Sequence, residues 1–255
     1  MATRRRTHRC RLPGGAGVIT VDFSRLRIAP GARILDVGCG NGRHTAAAYA
    51  VRQATAIGVD LCRPDLYAAR RRLHFHDSVG AGGGGAWAFA EADSRRLPFA
   101  DESFDLVVCA EVLEHIVNHH QAVGELVRVL KPDADLVVSV PRAWPERICW
   151  RLAPDYSRAN GGHVRIYTRR SLLALLAAAG LEPWACHYAH ALHSPYWWLK
   201  CLVGPQRTDM RIVGLYHRLL VWDMMAKPAL TRWLERLLNP VLGKSLVVYL
   251  RKPGA

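Results

Sequence analysis

Three glycines at alternate positions, Gly38, Gly40 and Gly42, follow directly on the apolar run Ile34-Leu35-Asp36-Val37. A buried strand that turns this tightly into a helix leaves main-chain N–H groups open, with no Cβ to keep a ligand away. Counted from Gly38, the dinucleotide fingerprint GxGxxG needs Gly or Ala at position 43, where the chain has Arg43, and no GKS or GKT follows. NAD, FAD and P-loop nucleotides are disfavoured. Three carboxylates, Asp36, Asp60 and Asp93, stand at or near the ends of successive candidate strands. One such Asp alone reads as a cap or turn residue, but three in succession point to a ligand site, because open α/β sheets bind ligands beyond the carboxyl ends of their strands. Cys39 is a small filler between two glycines.

Positioning these residues requires strands that alternate with helices. Segments rich in Val, Ile and Leu fall at Arg33–Val37, Thr55–Asp60, Ala86–Glu91, Phe104–Ala110, Ala134–Val140, Glu182–His187 and Ser245–Arg251. Helical patterns separate them at Gly42–Arg52, Arg63–His76, Asn118–Leu130 and Arg170–Ala179, the last two ending on Lys131-Pro132 and Gly180. The pattern predicts an α/β fold: a doubly wound, Rossmann-like, seven-stranded and mostly parallel sheet with helices on both faces. Ala81–Gly85 reads as a flexible loop. Two stretches break the alternation: Arg142–Tyr167, an irregular insertion carrying Trp144, Trp150, Tyr156 and Tyr167, and His190–Lys244, long enough to form helices of its own. They hold six of the eight Trp, and the insertions at about 142–169 and 190–244 are expected to form a lid over a substrate, within one domain spanning 18–255.

With 255 residues, half of them apolar, the chain can bury a sizeable core and is neither disordered nor fibrous. Its seven Cys are odd in number and lack CxxC spacing, so neither a disulfide framework nor a zinc site is suggested, and a reducing cytoplasm is the expected compartment. Residues 1–17 carry Arg4, Arg5, Arg6, Arg9 and Arg11 with no signal-peptide apolar core, and read as a disordered basic tail that a start at Val18 would remove. The net charge of +14 is consistent with nucleic acid or anionic lipid, but only 5 of 35 basic residues are Lys, a usage that coding bias also produces. Arg211, Arg218, Asp223, Lys227, Arg232 and Arg236 interrupt the most apolar stretch, which argues against a bilayer-spanning helix.

The run Asp36-x-Gly38-x-Gly40-x-Gly42 resembles motif I of the class I S-adenosylmethionine-dependent methyltransferases, of the type 11 kind. The neighbouring motifs occur in order over residues 30–185: Gly58-Val59-Asp60, Ala92-Asp93-Ser94 with Leu97-Pro98-Phe99, Phe104 to His115, and Leu126-x-Arg128-Val129-Leu130-Lys131-Pro132. One departure is Asp133-Ala134, where the family usually has Gly-Gly. The resemblance implies that Asp36, Gly38, Gly40, Gly42, Asp60, Leu61, Asp93, Ser94 and Ala110 hold S-adenosylmethionine and release S-adenosylhomocysteine. Asp60 would take the ribose hydroxyls and Asp93 the adenine amino group.

Methyl transfer from a sulfonium is an in-line displacement, so the protein must position the acceptor and exclude water. An oxygen or carbon acceptor also loses a proton, and His163, in Gly161-Gly162-His163-Val164-Arg165-Ile166-Tyr167, is the best candidate base, with His115 second. Tyr167, His193, Tyr196, Trp197 and Trp198 are expected to line the lid, and a membrane-interface role is a sharper version of the same reading. Between His190 and Lys244 there are eight Lys or Arg against three Asp or Glu. His187, His190 and His193 have the spacing of neither a zinc helix nor a triad, so no metal is expected. The reading is methyl transfer to oxygen or carbon of a small hydrophobic, aromatic or lipid-like acceptor, with possible peripheral membrane contact at the inner face and the oligomeric state open. RNA methylation lacks support, since Ala110-Glu111-Val112-Leu113 stands where amino methyltransferases place their Asn/Asp-Pro-Pro-Tyr/Phe run. A non-catalytic cofactor-binding subunit is the third alternative.

Overall fold

The computed structural model describes residues 18–153, 162–204, 210–226 and 228–254. The basic tail at 1–17, Tyr156 and Gly161 lie outside them. Seven strands, β1 (Arg33–Val37), β2 (Thr55–Asp60), β3 (Ala86–Glu91), β4 (Phe104–Ala110), β5 (Leu130–Pro141), β6 (Glu182–Ala189) and β7 (Ser245–Arg251), form one sheet in the order β3-β2-β1-β4-β5-β7-β6. β7 runs antiparallel between β5 and β6, and the pairs among β1 to β5 are parallel. The strand order reverses between β1 and β4, so a crevice is expected beyond the carboxyl ends of those two strands, directly at the glycine turn.

Covering both faces explains the sequence pattern. β1 is buried from Ile34 to Val37, whereas the edge strand β3 is mostly exposed or half-buried. One core layer gathers Phe104, Leu126, Leu136, Leu172 and Leu250, and the opposite layer gathers Ile34, Leu73, Leu106 and Tyr249. Each such side chain contributes about 1.5–3 kcal/mol through removal of apolar surface from water.

The helices on these faces are α1 (Arg43–Tyr49), α2 (Arg63–Ser78), α3 (His119–Val129) and α5 (Arg169–Ala177). α1 is shorter than the expected Gly42–Arg52, because Gly42 caps it in the left-handed region at φ 77° and the chain turns back at Gln53, φ 56°. α3 stops one residue early, because Leu130 already pairs with Phe104. A capping box between Thr168 and Ser171 starts α5. The segment expected to be irregular contains a helix, α4 (Ala143–Leu152), and the long insertion folds as α6 (His193–Val203), α7 (Arg211–Ala226) and α8 (Ala229–Leu242). Among the described cysteines, Cys39, Cys109, Cys149, Cys186 and Cys201 are free thiols.

His44, in the first turn of α1, fastens the incoming chain to the glycine-turn helix: Thr20 N–H and Val21 N–H donate to its Nε2 at 3.0 and 3.4 Å. Burial, with a smaller contribution from Arg43, pushes its pKa down from 6.5 to about 4. The folded state thus holds the ring neutral and the unfolded chain protonates first, so this contribution to stability is complete above pH 6.5 and is lost as pH falls toward 4. The loss expected from His44 is about 3 kcal/mol, at 1.36 kcal/mol per pH unit. Denaturant unfolding at pH 7 and pH 4.5 checks it: His44→Gln, which keeps an acceptor, should show a smaller difference than wild type, and an equal difference would refute the assignment.

Candidate active site

The glycine turn is built by close approach. Gly38 N–H and Cys39 N–H both donate to Val59 O, at 2.8 and 3.0 Å, which ties the end of β1 to β2. Gly38 has φ 69°, and a Cβ on it would lie 2.4 Å from Val112 Cγ2, so only glycine lets the loop after β4 close over the turn. Gly40, at φ 51°, differs: no atom lies within 4 Å of where its Cβ would be, and its backbone faces open space. Here a ligand can reach the main chain.

Asp60 completes this turn. Its Oδ2 accepts Gly40 N–H and its Oδ1 accepts Cys62 N–H, each at 2.8 Å, so the carboxylate is oriented before any ligand arrives. Each oxygen keeps a second lone pair for a diol. Leu61 beside it is 40% exposed, an apolar surface on which a planar ring can rest. Asp36 serves the turn from inside: it is 2% exposed and its Oδ2 accepts the Thr45 hydroxyl at 2.6 Å. Burial pushes its pKa up to about 6, against the lowering effect of the Thr45 hydrogen bonds. Asp93 lies in a turn bridged to Arg96, with half-buried Ser94 following. Arg95 engages both Asp93 oxygens, with Nη2 to Oδ2 at 2.6 Å and Nε to Oδ1 at 3.0 Å, so an adenine amino group would share that carboxylate with a guanidinium. Ala110 ends β4, and the next residue, Glu111, turns at φ 57° with its N–H on Ser139 O. The exposed backbone of Gly40, the pre-oriented Asp60 and the exposed Leu61 fit a nucleoside with a small charged tail.

Beyond the ends of β4 and β5 the two expected catalytic residues come together. The His115 and His163 rings meet edge to face with centroids 4.7 Å apart. His163 Nδ1 lies 2.7 Å from Glu146 Oε1, a residue the sequence reading missed. Glu146 is almost fully buried on α4. Burial works to raise its pKa, but His163, Lys244 and a hydrogen bond from Trp150 outweigh it and hold the carboxyl below its usual range. A buried carboxylate on Nδ1 fixes the imidazole tautomer that presents Nε2 as acceptor. The one sequence signal was Pro145-Glu146 in the insertion, whose Pro suits a first helical turn. His115 Nε2 lies 3.6 Å from Glu114 Oε1, and one ligand-type atom each from Glu114, His115 and His163 lies within 4.8 Å of the others. The group can pass a proton or hold an ion. Arg165 does the pinning: it donates to the carbonyls of Leu113, Ile116 and Val117 and ties the His163 loop to the one after β4.

The lid expectations divide. Tyr167 is 4% exposed, packs in the sheet core and meets His119 through its hydroxyl, so it does not face a lid cavity. Tyr196 is likewise buried, against Val213, Leu220 and Tyr216, in a small core between α6 and α7. Trp197 and Trp198 remain half-buried. Trp198 meets Trp144 in a tilted contact with ring centres 5.5 Å apart and donates to Pro145 O at 3.2 Å, and Lys200 and Lys244 each lie 5.3 Å from the Trp197 ring centre. These aromatics join α6 to α4, the helix that carries Glu146. His193 points elsewhere, toward His190, whose ring centre is 5.4 Å away.

Comparison with known proteins identifies the family and the fold. Residues 18–185 match a family model described as a methyltransferase domain. A ubiquinone biosynthesis O-methyltransferase from Hahella chejuensis is 37% identical over 123 residues, 48% of this chain and 48% of that protein. A demethylmenaquinone methyltransferase from Clavibacter sepedonicus is 37% identical over 113 residues, 44% of this chain and 42% of that protein. The chain spans less than half the length of these curated relatives. A methyltransferase structure from Bacillus halodurans superposes with a TM-score of 0.61 at 20% identity, covering 91% of this chain and 97% of that one.

Proposed function

Because the chain belongs to the class I S-adenosylmethionine-dependent methyltransferase family, we propose that it methylates oxygen or carbon of a small hydrophobic, aromatic or lipid-like acceptor held beneath the lid. The observation that carries this is the buried Glu146 on His163 Nδ1, beside the ends of β4 and β5. Nitrogen acceptors with a free lone pair need no such base, whereas a hydroxyl or an acidic carbon does. The relatives named for ubiquinone and menaquinone chemistry support a hydrophobic ring as acceptor.

When bound, the cofactor supplies an electrophilic methyl group on a sulfonium. Gly38, Gly40 and Gly42 shape the turn that receives it, Asp60 and Leu61 hold the nucleoside, and Asp93 with Ser94 closes the adenine end. His163 receives the proton from the acceptor at Nε2 while Glu146 stabilises the charge on the ring. Trp144, Trp197 and Trp198 keep water from this side. The test is mass spectrometry of a panel of hydroxylated aromatics, quinols and prenylated quinols incubated with protein and S-adenosylmethionine. A single-methyl mass increase is expected on at least one. No product from a protein that binds S-adenosylhomocysteine would overturn the reading.

A second reading concerns how a greasy acceptor arrives. On α8 no residue is buried, and Leu230, Trp233, Leu237 and Val241 form a stripe with exposures of 58–66%, flanked by Arg232 and Arg236. On α7, Ile212, Leu215, Leu219, Trp222 and Met225 continue it, with Arg211 and Arg218 alongside. Apolar stripes edged by Arg suit the interface of an anionic bilayer, and no helix among the described residues is long and apolar enough to cross one. Co-sedimentation with phosphatidylglycerol vesicles at low salt should be lost in Leu230→Ser/Leu237→Ser. Wild-type protein left in the supernatant would exclude membrane contact.

A further inference from the structure

We propose that His190, His193 and Glu235 form a binding site for one divalent transition-metal ion, zinc by ligand chemistry, that clamps the two ends of the lid insertion together. Sequence spacing alone conceals it, because the third ligand lies 42 residues beyond His193. The fold unites them. β6 ends at Ala189 and pairs there with Ser245 of β7, so the segment that leaves the sheet through His190 into α6 lies against α8, the helix that returns to it. Ala191 N–H donates to Asn239 Oδ1 of α8 at 2.9 Å, and Ser194 Oγ to Leu242 O at 2.7 Å.

One ligand-type atom from each of the three side chains lies within 4.8 Å of the other two. His190 Nε2, His193 Nδ1 and Glu235 Oε1 are all buried without a hydrogen-bond partner among the described residues. Leaving a buried polar atom unsatisfied costs about 1–3 kcal/mol, and three of them drawn from two helices and a loop call for a shared partner. The Leu192 backbone N–H also acts on the Glu235 carboxyl.

The orientation of α8 supports the assignment. Glu235 and Asn239 lie on its half-buried side beside Leu234 and Leu238, and Asn239 is held there by the Ala191 N–H. Asp223 on α7 is buried, interacts electrostatically with Glu235 and leaves Oδ1 unpartnered, and the cations acting on this cluster are Arg232 and Lys244. Two imidazoles and a carboxylate suit zinc, with a fourth position for water or an acceptor oxygen. His187 is excluded, because its ring stacks on Tyr249 with centroids 5.6 Å apart.

Untagged protein, stripped with chelator and dialysed, should bind one equivalent of Zn(II) by calorimetry. With Co(II) it should give the intense visible bands of a tetrahedral nitrogen–oxygen site. Glu235→Gln and His193→Gln, which keep polar side chains of similar size, should each weaken Zn(II) binding at least about 100-fold, and His187→Gln should bind like wild type. Two results overturn the proposal: no stoichiometric Zn(II) uptake by folded wild-type protein, which leaves a bridging water as the partner of these atoms, or uptake that both variants retain, which places the ion at Glu114, His115 and His163 instead. The wild-type titration decides even where a variant fails to fold, and neither readout depends on methyl transfer.

Discussion

Asp60→Ala loses binding of S-adenosylhomocysteine by about 10²–10⁴-fold in calorimetry while the protein stays folded. The size follows from two hydrogen bonds to a charged acceptor, each contributing about 1.5–3 kcal/mol. Asp60 also accepts Gly40 N–H and Cys62 N–H, so its removal frees the turn as well as the ligand's hydroxyls. Asp60→Asn separates the two effects: it keeps one acceptor oxygen for the turn but replaces the other by a donor facing two hydroxyls, and it should fall between wild type and Ala. Only a partly buried side chain that belongs to neither core layer is cut, so the unfolding transition should remain cooperative. A folded Asp60→Ala protein with wild-type affinity would show that the cofactor lies elsewhere. Asp36→Ala would be a poorer probe, because that carboxylate is buried under Thr45 and its loss disturbs the turn from within.

What was legible in the sequence is what is local. The strands were readable as short apolar runs bounded by turns, most clearly β1 and β4 in the buried parallel interior of the sheet, and the glycine turn because no other residue tolerates the approach of Val112 to Gly38. The residues proposed to hold the cofactor share that property: Asp60 and Gly40 belong to consecutive strand ends and meet through one hydrogen bond. The rest depended on long-range pairing. Glu146 was hidden because its partner His163 comes 17 residues later, across a segment without regular hydrophobic period. Tyr167 was misplaced because an aromatic next to a catalytic loop looks the same in sequence whether it lines a pocket or, as here, fills the core beside α3. Glu235 was invisible for the same reason, since nothing in the spacing of His190 and His193 says which later helix will fold back onto them. On α8 the apolar residues divide between an exposed stripe of Leu230, Trp233, Leu237 and Val241 and the half-buried Leu234 and Leu238, which flank Glu235 and Asn239, a division that periodicity does not predict.

His163→Gln should lower kcat for an oxygen or carbon acceptor by about 10²–10⁴-fold, the range for loss of a positioned general base, with S-adenosylhomocysteine affinity unchanged. The competing role is structural, since the loop bearing His163 is tied down by Val164 N–H on Glu114 O and by the three carbonyl contacts of Arg165. That role survives in His163→Gln, because none of those bonds involves the imidazole, so a loss of kcat without a loss of cofactor affinity belongs to the ring itself. Imidazole added to His163→Ala should restore part of the rate, which a merely collapsed loop would not allow. Glu146→Gln tests the second half of the dyad. It retains an oxygen for Trp150 Nε1 but removes the charge beside His163 Nδ1, and it should reduce kcat less than His163→Gln while leaving KM for the cofactor near its wild-type value. Combined with His163→Gln it should add little, because residues that act as one unit are not additive. A His163→Gln enzyme within a few-fold of wild-type kcat would mean that proton removal falls to another group or that the acceptor atom needs none, and it would move the acceptor search toward nitrogen.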